Sequence, residues 1–183
     1  YPPLIWHSVH LMTEPMFIFL STAAVYALVR LARTGAWRWA ALGGAAAGLA
    51  TLTRSMLAGF LPLMALWVWW ACGRGRRAWG MAALFTAVVT LAMLPWIVRN
   101  AVVLRAFVPT TTDAGHGFYV ANNARSLADP RGFHIPKDWS FVKTHPEERL
   151  GEVEMNRRLM RTARDYLLEH PGEAAQLMAR RFL

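Results

Sequence analysis

The sequence predicts an all-α membrane protein, in which a polytopic bundle of about four transmembrane helices is followed by a small, mostly helical extracytoplasmic tail. Three observations lead to this fold class. Hydrophobic residues make up 55% of the 183 residues and charged residues only 17%, whereas a soluble domain would carry about 25% charged residues. Long apolar runs fill the first 98 residues. Acidic residues are concentrated in the remainder, because Glu14 is the single acid among residues 1–98.

The apolar runs predict spans at about 15–31, 37–53, 56–72 and 78–98. Each run is close to the roughly 20 residues that a helix needs to cross a hydrocarbon core about 30 Å thick. Strands are excluded for these runs, because the apolar residues are continuous and an open sheet edge cannot face lipid. Within the second span, the GxxxG pair of Gly44 and Gly48 predicts close packing against another helix.

Arginines set the expected orientation of the bundle. Six of them lie in two short loops, one after the first span and one before the fourth: Arg30, Arg33, Arg38, Arg74, Arg76 and Arg77. With four crossings both loops face the same side, and the positive-inside rule makes that side cytoplasmic. Tryptophans 37, 39, 67, 69, 70 and 79 cluster near the same face, as an aromatic belt would. Glu14, Arg54 and residues 99–183 are therefore expected on the extracytoplasmic side.

The net charge of +9 and a pI near 11.0 would ordinarily suggest a nucleic-acid partner. We expect none here, because the excess arginine of the first 98 residues lies in short loops between apolar runs. Cys72 is the only cysteine, which excludes an intrachain disulfide. The chain opens on Tyr1 without an initiator methionine, and we expect it to be an internal fragment of a longer protein.

The tail, residues 99–183, is expected to hold an extracytoplasmic loop and amphipathic helices that lead to a further span. Two short apolar runs, Ala101–Val108 and Phe118–Ala121, are predicted as short strands or extended loop, because turn-forming residues surround them. The domain boundary therefore falls between residues 98 and 99.

The second half of the tail carries helix signals. Thr144 and Glu147 have the spacing of a capping box, which predicts a helix running to about Glu169. Pro171 is well placed as the first residue of another helix, because its missing N–H costs nothing there.

One acid and two arginines converge on the extracytoplasmic face from three span ends. Glu14 begins the first span, where a carboxylate could act as a general base or hold Mg²⁺ or Mn²⁺, or could simply favour the helix dipole. Arg54 lies between the second and third spans, and its fork suits a phosphate, whether of a substrate or of a membrane lipid. Arg99 follows the fourth span, and snorkelling to the interface is its alternative role.

Weaker candidates surround these three residues. His7 and His10 lie near Glu14, but two histidines and one carboxylate are a small ligand set, so we do not expect His10 to hold a metal. Asn122 and Asn123 follow a glycine-rich loop that could contact a sugar, although a simple turn explains them equally well.

Four segments, in the same order, resemble the bacterial dolichyl-phosphate-mannose-protein mannosyltransferase-like enzymes of the GT-C superfamily, which includes the aminoarabinose transferases. They are Thr13-Glu14-Pro15-Met16-Phe17, Gly48-Leu49-Ala50-Thr51-Leu52-Thr53-Arg54, Pro95-Trp96-Ile97-Val98-Arg99-Asn100, and Phe107-Val108-Pro109 with Gly115 to Asn123. The chain departs from the family pattern at Ser55, where proline is usual, and at Ala121, where glycine is frequent. The resemblance covers nearly the whole chain.

The resemblance implies an inverting membrane glycosyltransferase of the bacterial inner membrane. Such an enzyme moves a sugar from a polyprenyl-phosphate donor to a protein, lipid or glycan acceptor on the extracytoplasmic face. Its principal catalytic aspartate would precede this chain, which leaves Glu14 as the second acidic site and Arg54 and Arg99 as ligands of the lipid phosphate. Asn100, Asn122 and Asn123 would belong to a substrate loop.

Two other function classes stay open. A transporter or flippase subunit for a lipid-linked sugar would also place arginine at the membrane face, but it should carry polar residues in mid-span. The predicted spans contain almost no such residues, the best being Thr22, Thr86 and Thr90. This scarcity of polar residues in mid-span favours the enzyme. A structural membrane module without a ligand is the third possibility.

Overall fold

The computed structural model describes residues 13–129, 132–136 and 150–182. Within these residues the chain is all helical and contains no strand, which agrees with the predicted all-α class. The chain divides into two compact units, residues 1–110 and 111–183. This division falls later than the predicted boundary after residue 98, because the segment that follows the fourth apolar run folds back onto its own helix, as described below.

The first unit is a bundle of helices joined by short turns. In chain order its elements are α1 (Thr13–Thr34), α2 (Trp37–Thr53), a 3₁₀ helix (Ser55–Phe60), α3 (Leu61–Ala71) and α4 (Arg76–Leu104). Gly35 ends α1 with a φ of +61°, and its N–H donates to Leu31 O at 2.8 Å. Glycine suits this position, because a Cβ disfavours the left-handed conformation that closes a helix.

Helix α2 packs between α1 and α4, and the predicted close packing at its GxxxG pair is confirmed. A Cβ added to Gly44 would lie 2.6 Å from Phe85 O, and one added to Gly48 would lie 2.8 Å from Ala92 Cβ. Both glycines therefore meet α4 at a distance that no larger residue allows. The buried positions of this unit are mostly small or flexible residues, among them Ala24, Ala40, Ala47, Ala82 and Met81.

Many large apolar side chains lie on the outside of the bundle, although Phe85 and Leu31 are buried. Phe19 is 71% exposed and Leu91 is 65% exposed. Small residues inside and large apolar residues outside is the pattern of helices that pack in lipid, where burial of apolar surface does not drive association. A soluble protein rarely leaves an apolar surface of this extent uncovered.

In the part of the chain that the structure describes, two helices are long and apolar enough to cross a membrane. They are α1, with a mean hydropathy of 1.7, and α4, with a mean hydropathy of 2.1, which correspond to the first and fourth predicted spans. Only 22% and 28% of their apolar windows are buried, so neither resembles the core helix of a soluble protein.

The four predicted spans are not supported as four long helices. The second span is a helix of 17 residues with the predicted bounds, Trp37–Thr53. The third is divided into the 3₁₀ helix and α3, which has 11 residues and Pro62 in its first turn. Proline lacks an N–H and fits the first turn of a helix but not the middle, so α3 begins there instead of continuing from Ser55.

The described residues of the second unit form four helices: α5 (Ala114–Ala121), α6 (Ala124–Ala128), α7 (Glu152–Glu169) and α8 (Pro171–Phe182). Helix α5 packs on α7, and α8 contacts both α6 and α7. Leu159, Ala163 and Leu177 are among its buried apolar residues. The predicted helix end at Glu169 and the predicted helix start at Pro171 are confirmed. The capping box of Thr144 and Glu147 lies outside the described residues.

The two tail runs predicted as short strands or extended loop form no strand, and only residues 105–108 of the first run lie outside a helix. The first four residues of Ala101–Val108 are the last turn of α4, and Phe118–Ala121 is the second half of α5. A helix satisfies its own backbone hydrogen bonds, whereas an isolated short strand would leave them unpaired. The valine and aromatic residues of these runs favour strands only where a neighbouring strand is present.

Candidate functional site

Glu14 and Arg54 meet at one end of the bundle, although 40 residues separate them in the sequence. Glu14 lies in the first turn of α1 and Arg54 directly follows α2, and Arg54 Nη1 donates to Glu14 Oε1 at 3.1 Å. Arg54 leaves the helix in an extended conformation, with φ −142° and ψ 112°, while its N–H still donates to Ala50 O at 3.0 Å. The α1–α2 hairpin therefore presents a carboxylate and a guanidinium side by side.

This ion pair is open to solvent. The side chain of Arg54 is 42% exposed and that of Glu14 is 48% exposed. A pair with this exposure contributes about 0.2–1 kcal/mol to stability, so the bundle does not depend on it. A guanidinium carries five N–H donors, and the contact with Glu14 uses one of them. Arg54 can therefore bind an additional oxyanion.

Arg99 lies on α4, one residue before a buried asparagine. Its side chain contacts residues of its own helix: Arg99 Nη1 donates to Asn100 Oδ1 at 3.0 Å, and its guanidinium carbon lies 5.2 Å from the centroid of the Trp96 ring. This stacking on an indole fixes the direction of the side chain and leaves guanidinium donors available. The structure places Arg99 inside α4, five residues before the helix ends at Leu104, and its hydrogen bond is with Asn100 rather than with Glu14.

Asn100 and Trp96 fasten the chain that follows α4 back onto that helix. Asn100 is 2% exposed, and its Nδ2 donates to Val108 O at 3.0 Å. Trp96 Nε1 donates to Thr110 O at 2.8 Å. Both side chains thus donate hydrogen bonds to backbone carbonyls of the segment that follows α4. The predicted substrate role of Asn100 stays a prediction, and its amide has a structural partner in the fold.

Asn122 and Asn123, predicted for the same substrate loop, lie in the second unit and are both 6% exposed. Asn123 is the N-cap of α6, where Oδ1 accepts from the N–H groups of Arg125 and Ser126 at 3.0 and 3.2 Å. Asn122 Nδ2 donates to Phe118 O at 2.9 Å. The asparagine pair therefore joins α5 to α6, and any contact with a sugar stays a prediction.

The metal prediction at Glu14 gains no further ligand. Residues 13–129, 132–136 and 150–182 contain no group of three or more His, Cys, Asp or Glu side chains that could hold a metal ion. His7 and His10 lie outside the described residues, so the predicted absence of a role for His10 stays a prediction.

A polar cavity in the second unit was not foreseen from the sequence. Its volume is about 430 Å³, and it lies where α5 and α7 begin. Thr112 Oγ1 donates to Glu152 Oε2 at 3.4 Å, and the Gly115 N–H donates to Asn156 Oδ1 at 2.5 Å. No local sequence motif predicts this cavity, because the residues that meet there are about 40 positions apart in the sequence.

Tyr166 is the most strongly perturbed titratable group of the second unit. Burial and the hydrogen bond from its hydroxyl to the Glu173 carboxylate raise the pKa of Tyr166 to about 12. Burial is the larger cause, because a phenolate would lose its hydration there. The neutral phenol therefore serves as a donor that joins α7 to α8.

The opposite end of the first unit is basic and aromatic. Arg30 and Arg38 both lie against the Trp39 ring, 5.2 and 5.7 Å from its centroid, and Arg74 lies 5.7 Å from that of Trp70. The rings of Trp69 and Trp79 are 5.5 Å apart. These contacts bring together the arginines and tryptophans that the sequence assigns to one membrane face.

Comparisons with known proteins identify no relative of this chain. No protein-family model matches the chain, and neither a curated protein nor a solved structure is similar enough to count as a match.

Proposed function

We propose that this chain is part of an integral membrane glycosyltransferase that uses a polyprenyl-phosphate-linked sugar. The observation that carries the proposal is the exposed Glu14–Arg54 pair at one end of an apolar helix bundle. Such a pair places a phosphate ligand and a carboxylate together where a lipid headgroup would lie. The sequence resemblance supplies the reaction class, and the acceptor is a protein, lipid or glycan.

The proposal places the bundle in a bacterial inner membrane with four crossings. At 1.5 Å per residue, α2 is about 26 Å long, and the 3₁₀ helix with α3 is about 28 Å long, so both approach the hydrocarbon thickness of about 30 Å. The basic end faces the cytoplasm, and the Glu14–Arg54 end and the tail face the other side.

In this reading, the two arginines stabilise the leaving phosphate. Transfer of a sugar breaks its bond to the phosphate, so negative charge accumulates on the phosphate oxygens as the bond lengthens. Arg54 retains donors beyond the one that Glu14 accepts, and Arg99 is held by Trp96 with its fork available. Glu14 orients Arg54 and supplies the second acidic site beside the acceptor.

The lipid-linked sugar transporter is the other function class, and the structure favours it less. A transporter needs polar groups that face its substrate in mid-span. Thr86 and Thr90 donate their hydroxyl hydrogens to carbonyls of their own helix, Ala82 O at 2.9 Å and Thr86 O at 3.0 Å. Their polar groups are therefore already engaged within α4.

Activity is tested in the full-length enzyme with Arg54→Ala and Glu14→Ala, assayed in membranes for transfer from a polyprenyl-phosphate sugar. We expect a large loss of kcat for Arg54→Ala, because the loss of one preorganised donor group typically costs about 10²–10³ in rate. Arg33→Ala is the matched control, since Arg33 is exposed at the opposite end of the bundle. Wild-type turnover in both site variants would refute the assignment.

The four crossings are tested separately by thiol labelling of intact cells. Cys72 is the only cysteine and lies at the basic end, so a membrane-impermeant maleimide should leave it unlabelled. In Cys72→Ser with Ser55→Cys, the new thiol replaces an exposed residue at the other end of α3. Labelling from outside is expected with four crossings. Protection of position 55 would mean that only α1 and α4 cross.

A further inference from the structure

An apolar groove runs along the first unit between α3 and α4. Its volume is about 940 Å³, and it extends from Trp69 and Trp79 at one end to Ala58 and Ile97 at the other. Along α4, Trp79 and Ile97 are about 27 Å apart at 1.5 Å per residue. Its length and its almost wholly apolar lining suit a hydrocarbon chain better than a compact polar ligand.

The tryptophan end of this groove opens beside the basic loop that joins α3 to α4. Arg74, Arg76 and Arg77 are all exposed, and Arg77 Nη2 donates to Gly35 O at 3.0 Å. The sequence contains no Asp or Glu between Glu14 and Asp113. The guanidinium groups of this loop therefore have no carboxylate nearby in the sequence to neutralise them, at the point where an apolar groove begins.

We propose that this groove and the Arg74–Arg77 loop form a binding site for an anionic glycerophospholipid. The phosphate lies against Arg74 and Arg76, and one acyl chain enters the groove past Trp69 and Trp79. Basic pockets between membrane helices bind anionic headgroups in this way, because the phosphate charge is neutralised while the chain stays in an apolar environment. The proposal rests on the membrane placement given above and not on sugar transfer.

A second basic corner provides the control for general charge attraction. Arg33 and Arg38 are exposed at the same end of the bundle, but they belong to α1 and α2, and neither helix lines the groove. Arg74 and Arg76 instead lie where α3 and α4, the two helices of the groove, are joined. Diffuse attraction of anionic lipid to this end would depend on both corners to the same extent. A defined site should depend on Arg74 and Arg76 alone.

The test uses the full chain purified in a zwitterionic detergent, titrated with phosphatidylglycerol or phosphatidylcholine and followed by native mass spectrometry. Phosphatidylglycerol should bind and phosphatidylcholine should not compete with it. Arg74→Gln with Arg76→Gln should weaken binding about thirty-fold, from about 1 kcal/mol for each near-surface cation. Arg33→Gln with Arg38→Gln should stay within about three-fold of the wild type, because the general attraction is screened.

The position of the acyl chain is tested by filling the groove. Ala83 and Ala87 line it on α4, so Ala83→Phe with Ala87→Phe should weaken phosphatidylglycerol binding by at least about ten-fold. Ala101→Phe, exposed on the same helix outside the groove, is the matched control. Circular dichroism establishes that each variant is folded before it is titrated.

Three results would overturn the proposal: equal loss in both arginine pairs, equal affinity for phosphatidylcholine, or unchanged binding after the groove is filled. Failure of the proposed enzyme function would leave these measurements unaffected, because none of them uses a sugar donor. If the four-crossing placement in the membrane is wrong, the thiol at position 55 should instead be protected from the impermeant maleimide.

Discussion

Substitution by alanine should destabilise the bundle at Gly44 of α2 but not at its neighbour Gly43. A Cβ on Gly44 would lie 2.6 Å from Phe85 O, which is backbone and cannot move aside. A Cβ on Gly43 would lie 3.4 Å from Leu28 Cδ2, which is ordinary contact with a flexible side chain. The two residues are neighbours in one helix, so any change in backbone propensity is nearly the same for both.

The magnitudes follow from two opposing contributions. Glycine-to-alanine substitution in a helix gains about 0.5–1 kcal/mol, whereas overpacking a close contact costs about 1–3 kcal/mol. Gly43→Ala should therefore leave the free energy of unfolding unchanged or raise it by up to about 1 kcal/mol. Gly44→Ala should lower it by about 1–2 kcal/mol, because α2 must move away from α4.

The free energy of unfolding is measured in mixed micelles by titration with a denaturing detergent, followed by far-ultraviolet circular dichroism. Gly48→Ala provides an internal check, because its Cβ would meet Ala92 Cβ at 2.8 Å and Val89 O at 2.9 Å. Adding Ala92→Gly should recover only part of the loss, since the contact with Val89 O remains. Equal effects at Gly43 and Gly44, or a more stable Gly44→Ala, would refute the close approach of α2 and α4.

Three further predictions concern side-chain contacts. A double-mutant cycle on Glu14 and Arg54 at low salt should give a coupling energy of about 0.2–1 kcal/mol, because both side chains are exposed. A coupling energy of zero would mean that the two side chains do not form the ion pair. Absorbance at 295 nm should show Tyr166 titrating near pH 12, and stability should fall as pH rises from about 10 to 12, because the folded state holds the proton that the unfolded chain has lost; Glu173→Gln should lower this pKa only in part, as burial remains. Asn123→Ala should cost about 1–2 kcal/mol and Asn123→Asp less, because aspartate keeps the capping acceptor; equal losses would show that the donor to Tyr119 O dominates.

The sequence predicts the helices that local signals define. The bounds of α2, the end of α7 at Glu169 and the start of α8 at Pro171 all follow from hydrophobic runs, proline and glycine. The division of the third span into a 3₁₀ helix and α3 near Pro62 cannot be predicted from hydropathy. Both segments are apolar, so a hydropathy window does not distinguish one helix type from the other. The prediction of short strands or extended loop is wrong at Val102 and Tyr119, which both lie in helices. Valine and tyrosine favour strands only where a neighbouring strand is present.

The candidate site was predictable where topology alone determines it. Glu14 begins one helix and Arg54 ends the next, so a hairpin must bring them to the same end. The contact of Arg99 with Asn100 depends on side-chain rotamers, and the sequence contains no signal for it. The polar cavity beside Glu152 and the groove between α3 and α4 arise from tertiary packing, and each combines residues far apart in the chain.

The small residues of α2 connect the fold to the proposed site. Helix α2 contacts α1 at Gly43 and α4 at Gly48, so it determines how far the end that carries Arg54 lies from each neighbour. Of these two contacts, only the one with α4 lacks room for an added methyl group. A substitution at Gly48 should therefore displace Arg54 relative to Arg99 while leaving its pairing with Glu14 nearly intact. If both arginines bind one phosphate, Gly48→Ala should reduce sugar transfer even though the Glu14–Arg54 coupling persists. If Arg54 binds the phosphate without Arg99, sugar transfer in Gly48→Ala should stay near the wild-type rate, because the Glu14–Arg54 coupling persists.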